Sequence, residues 1–88
     1  MKNSQVVTLI NNELDKLKAT DNIDKQFNES SLLIFNLLYE NKLHNIDDIV
    51  FIFFRGELVK VGQEKGLKTD KINKILDDTY EIVIILYE

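Results

Sequence analysis

His44 is the single histidine of this 88-residue chain, and there is no cysteine. These two residue types supply most transition-metal ligands and most nucleophiles and proton shuttles that work near neutral pH. A zinc-type site draws three or four ligands, so one histidine without cysteine leaves such a site short. The other acid–base groups of note are adjacent carboxylates, Asp47–Asp48 and Asp77–Asp78. Neighbours on a helix point about 100° apart, so neither pair converges on one substrate atom. At a helix start or on a solvated face the same residues need no catalytic role. The chain contains no Gly-rich phosphate loop, no GxSxG and no HExxH. The expectation is a protein that is not an enzyme and holds no metal or cofactor.

A second kind of chemistry is carried by lysines. Residues 61–75 resemble a helix-turn-helix, with Gly62 as the small residue of the first helix and Gly66 in the turn four later. Leu67 follows the turn, and Ile72 and Ile75 fall inside the second helix. The resemblance implies that Lys68, Lys71, Asn73 and Lys74 would meet phosphates and base edges. Lys65 stands where the motif usually has an apolar residue, and Asp77 and Asp78 put negative charge on the would-be recognition helix. The same residues equally describe an antiparallel helical hairpin whose turn needs Gly66, with the lysines as solvated surface. The net charge of −4 argues against general nucleic-acid binding, which usually goes with an excess of positive charge.

These side chains must be positioned by one small domain. With 44% hydrophobic residues and no disulfide, apolar burial has to supply the stability. There is no proline and there are only three glycines, Gly56, Gly62 and Gly66, so long helices can run uninterrupted. Arg55 is the lone arginine among 11 Lys and Arg residues, a bias typical of AT-rich genomes, such as that of a low-GC bacterium or its mobile elements. The residues after Met1 do not form a secretory signal, and no apolar run is longer than that of 82–87, which is too short to span a membrane. The expected location is cytoplasmic.

Apolar spacing predicts an all-α, antiparallel four-helix bundle with helices at about 4–19, 29–43, 46–65 and 69–87. In the first helix Val6, Val7, Ile10, Leu14 and Leu17 share one face, and Ser4 is a candidate N-cap. Residues 21–28 read as a polar connection anchored by Ile23 and Phe27. The second helix is apolar nearly all round, which calls for burial on most sides. In the third, Asp47 and Asp48 fall in the first turn, and two apolar stripes can be drawn: Val50, Phe54, Leu58 and Val61, and Ile49, Ile52, Gly56 and Val59. Gly66 is the expected left-handed C′ residue and Thr69 the N-cap of the fourth helix. That helix aligns Ile72, Ile75, Leu76, Thr79, Ile82, Val83 and Leu86, leaving Ile84 and Ile85 off the stripe.

The amphipathic helix from Gln5 to Leu17 and the pair 46–64 and 69–86 joined by a polar turn resemble the small four-helix immunity proteins of bacteriocin producers, the type associated with enterocin A. The resemblance implies a cytosolic bundle that acts by binding and without catalysis, its C-terminal half tied to which bacteriocin is countered. The resulting expectation is a protein-binding protein of immunity or inhibitor type. Its surplus apolar residues Ile52, Val59, Ile84 and Ile85 are the candidate contacts with another protein or with a second copy in a dimer. The alternatives are a DNA-binding regulator using residues 61–75 and a structural or scaffolding oligomer subunit.

Overall fold

In the computed structural model, which describes residues 3–88, four helices form a bundle measuring 32 × 25 × 20 Å. They are α1 (Asn3–Lys18), α2 (Asp24–Glu40), α3 (Ile49–Glu64) and α4 (Thr69–Tyr87). Met1, from which the N-terminus was read as lacking an export signal, lies outside the described residues.

Each helix follows from a buried stripe. In α1, Val6, Ile10, Leu14 and Leu17 are buried, as their spacing requires. Ser4 lies inside the first turn rather than capping it, and its carbonyl accepts a bond from the Thr8 hydroxyl at 2.9 Å. The second helix begins five residues earlier than its apolar run suggests. Phe27, Ser30, Ser31, Ile34, Phe35 and Leu38 are buried on one face, so the polar residues 24–29 other than Phe27 are the wet side of a helix and not a linker. Ile23 and Phe27 are the anchors expected of them, both buried.

α2 also stops short of residue 43. Lys42 takes φ 60°, Leu43 N–H donates to the Leu38 carbonyl (2.8 Å) and Lys42 N–H to that of Tyr39 (3.0 Å). This is a Schellman ending with lysine where glycine is usual, and it turns Leu43 into the core. α3 therefore starts at Ile49 rather than 46. Asp48 is its N-cap, its carboxylate accepting from the Val50 N–H at 2.8 Å, while Asp47 and Ile46 stay in the preceding turn. At the other end Gly66 (φ 88°) closes a second Schellman turn, with Leu67 N–H donating to the Gly62 carbonyl at 2.9 Å. Lys68, not Thr69, is the N-cap position of α4 and makes no side-chain capping bond.

The helices pack as two antiparallel hairpins. Within the second, Arg55 meets Asp77 and Phe51 meets Tyr80. α2 and α4, the most extensive pairing, lie side by side in the same direction, since Asp24 meets Lys71 at one end and Glu40 meets Tyr87 at the other. α1 flanks α2 and α3 and makes no contact with α4. Three rings, Phe35, Phe51 and Tyr80, join α2, α3 and α4, with centroids 5.1–5.9 Å apart.

Gly62 sets how closely α3 approaches its neighbours. A Cβ there would lie 2.8 Å from Ile72 Cδ1 and 3.3 Å from Phe27 Cε2, both in fully buried side chains. Gly62→Ala is expected to lower stability by about 1–3 kcal/mol, overpacking outweighing the helix-propensity gain. Urea titration followed by circular dichroism checks this; a variant as stable as the parent would show that the crossing can relax.

Candidate functional site

Once the core is filled, α3 has apolar residues left over. Its buried face is Phe51, Phe54, Leu58, Val61 and Gly62. Ile49, Ile52 and Phe53 point outward, exposed by 80, 54 and 55%, and Gly56 beside them is exposed too. Of the two stripes the sequence allows, only one is core. Val59, assigned to the outer stripe, is half-buried against the core cluster. The edge of the outer face dips into a cleft of about 250 Å³ between α1 and α3, lined by Val7, Ile49, Val50, Phe53 and Phe54. Phe53 is absent from both sequence stripes, although its i+4 relation to Ile49 places it on this face.

A second apolar surface covers the last turns of α4, where Ile82, Ile85 and Leu86 are exposed at i, i+3 and i+4. Val83, alone among the tail's aliphatic residues, is buried, so Ile82 and Leu86 do not join the core stripe as expected. Ile84 is half-buried and Ile85 is 67% exposed. Ile85 follows Tyr80, which faces α3, by five residues and so points about 140° away from it. The structure therefore does not bring Ile52 and Ile85 together; they belong to two surfaces.

The lysine-bearing turn has a different character. α3 and α4 pack antiparallel along their length, whereas a helix-turn-helix sets its helices at about 90–120°. Lys71 Nζ lies 3.2 Å from Asp24 and Lys74 Nζ 3.1 Å from Asp78, so both are paired with carboxylates, weakly as befits exposed ion pairs. Lys68 and Asn73 are exposed. Asn73 is two positions beyond Lys71 and one before Lys74, so it faces away from both.

The aspartate pairs singled out by the sequence are dispersed, whereas Glu40, Lys42, His44 and Tyr87 line one cleft of about 670 Å³. Asp48 caps α3, Asp77 pairs with Arg55 at 3.0 Å and Asp78 with Lys74. His44 stacks on Tyr39 with centroids 4.1 Å apart, and Tyr39 stacks on Tyr87 at 4.5 Å. The Tyr87 hydroxyl donates to Glu40 at 2.7 Å, and this bond raises its pKa above the ordinary 10.0. His44 Nδ1 is buried without a hydrogen-bond partner. Among the described residues no group of three or more His, Cys, Asp or Glu side chains could hold a metal ion, and no helix is long and apolar enough to cross a membrane.

Tyr80 ties this corner together by donating to the His44 carbonyl at 2.8 Å. Burial, with added repulsion from Glu88 and Tyr39, pushes its hydroxyl above the ordinary value of 10.0. A raised pKa in the folded state means a contribution that is complete below pH 10 and is lost as pH rises through the folded value. Tyr80→Phe should cost about 1 kcal/mol near neutrality, and that cost should shrink above pH 10. Urea midpoints of the two proteins across alkaline pH test this; a constant difference would contradict it.

Gly56 offers a contrasting test, since a Cβ there meets nothing within 4 Å. Gly56→Ala is expected to raise the stability of the monomer by about 0.5–1 kcal/mol through helix propensity. Denaturation at low protein concentration measures it, and a loss of stability would mean that the outer face is not free within the chain.

In comparisons with known proteins, no family model, no curated protein and no solved structure matches this chain.

Proposed function

We propose that this chain is a non-enzymatic protein-binding protein of the immunity or inhibitor type, with bacteriocin immunity as the specific form. One observation carries the reading: two separate apolar surfaces, Ile49–Ile52–Phe53 on α3 and Ile82–Ile85–Leu86 on α4, face outward from a bundle whose core is complete without them. Contiguous apolar surface on a small protein marks a place where another macromolecule excludes water. The separation of Asp48, Asp77 and Asp78 into a cap and two ion pairs further favours binding over catalysis at those residues.

The DNA-binding reading receives less support. Its two best-placed lysines neutralise carboxylates of the same chain, and the hairpin geometry leaves α4 packed against α2 along its length.

The test is capture of a protein from an extract of the source organism, followed by variants. Ile85→Glu and Phe53→Glu should keep the helical circular dichroism and melting temperature of the parent, since both side chains are largely exposed. At least one should weaken capture tenfold or more, a loss of about 1.4 kcal/mol. Lys68→Glu combined with Lys74→Glu should leave capture intact. Loss of binding only in the lysine variant, or DNA retention that falls steeply with salt, would overturn the reading in favour of nucleic acid.

A further inference from the structure

The net charge of the chain is confined to one stretch of α4. All 11 Lys and Arg residues lie at or before Lys74, and beyond it only Asp77, Asp78, Glu81 and Glu88 carry charge. The preceding part is therefore neutral overall, and these four carboxylates account for the whole of the −4. The same stretch carries the exposed apolar surface of Ile82, Ile85 and Leu86. We propose that the occupant of this surface is a cationic amphipathic helix presented by another protein. This rests on the reading of the chain as a protein-binding protein, and it names the class of partner.

Two of the four carboxylates already have cations, Asp77 in Arg55 and Asp78 in Lys74. Glu81 and Glu88 are exposed, and among the described residues neither is in an ion pair within the chain. They stand at i and i+7, so they project from the same side of α4, about 10.5 Å apart along its axis. Ile85, at i+4 from Glu81, sits between them, and Ile82 and Leu86 follow round the helix. Next in that direction comes Val83, which is buried in the core. The surface is thus an apolar strip with the core along one edge and two unpaired carboxylates along the other. A helix laid on it would bury its own apolar residues against Ile82, Ile85 and Leu86. Its Lys or Arg residues at i and i+7 would then meet Glu81 and Glu88.

α4 is also acidic where its backbone calls for the opposite charge. The C-terminal end of a helix carries partial negative charge and is stabilised by cations. α1 has Lys16 and Lys18 in its last turn, whereas α4 has no basic residue there and has Glu88 as its C-cap. A cationic partner supplies that charge. The same carboxylates disfavour the competing occupants. A second copy docked through this surface would set glutamates against glutamates, and nucleic acid or an anionic lipid surface would be repelled.

The probe is a labelled synthetic helix of leucine and lysine, about 18 residues long with all its leucines on one face, titrated with the full chain and followed by fluorescence anisotropy. It should bind, and at least tenfold more weakly at about 500 mM than at about 50 mM salt. A leucine–glutamate helix of the same pattern should not bind. Glu81→Lys combined with Glu88→Lys, and separately Ile85→Ser, should each weaken binding tenfold or more while keeping the helical spectrum of the parent. Asp15→Lys combined with Asp21→Lys makes the same change of net charge on exposed residues elsewhere and should leave binding unchanged. No binding of the leucine–lysine helix, equal loss in the two lysine-substituted pairs, or binding indifferent to Ile85→Ser would each overturn the proposal. Tighter binding to phosphatidylglycerol vesicles than to the peptide, or a dimer in sedimentation that Ile85→Ser abolishes, would overturn it by giving the surface a different occupant. If the peptide fails to bind but Ile85→Glu still loses capture from the extract, the protein-binding reading stands and only the cationic class of partner is removed.

Discussion

Where α3 crosses its neighbours there is room for a hydrogen but not for a methyl group. Gly62 rests against Ile72 of α4 and Phe27 of α2, and this contact brings three helices together at one level of the bundle. The remaining packing of α3 follows from it. With Gly62 inside, helical periodicity carries Val61, Leu58, Phe54 and Phe51 inside as well, and Phe51 completes the ring cluster with Phe35 and Tyr80. The opposite side of the same helix must then face outward, whatever residues it carries.

That constraint is what produces the candidate site. α1 and α4 flank α3, and α2 meets it through Phe27 and Phe35. Among the described residues no further element covers the remaining side of α3, and Ile49, Ile52 and Phe53 are exposed there. Leaving apolar side chains there costs solubility and gains nothing for the fold of the monomer. The same holds for Ile82, Ile85 and Leu86, beyond the point where α4 has satisfied its core with Ile72, Leu76, Thr79 and Val83.

The ends of the helices were legible where glycine or periodicity marked them and obscure elsewhere. Gly66 announced the turn before α4, because only glycine takes that backbone conformation without steric cost. The end of α2 carries no such mark, since Lys42 adopts the left-handed conformation in place of glycine. The start of α2 was hidden for the opposite reason: residues 24–29 are mostly polar, and one buried Phe27 is too little to separate a wet helical turn from a loop. Asp48 was placed in the first turn of a helix starting at 46 though it is the cap of one starting at Ile49, a difference of three positions marked by the bond its carboxylate accepts from the Val50 N–H.

By itself the sequence determined that the chain is helical, that there are four helices, and which residues of α1 and α4 are close to one another on a face. Few glycines, no proline and spacing near 3.6 residues are enough for that, because they are local properties. It also placed Ile52 and Ile85 among the surplus apolar residues. Only the tertiary structure decided which stripe of α3 is core, that Val59 and Ile84 are half-buried, and that Ile52 and Ile85 lie on different surfaces. Periodicity fixes the angles between side chains on one helix but not the direction in which its neighbours lie. On a helix as apolar on one side as on the other, that direction is set by contacts such as Gly62 with Ile72, which come from distant parts of the chain.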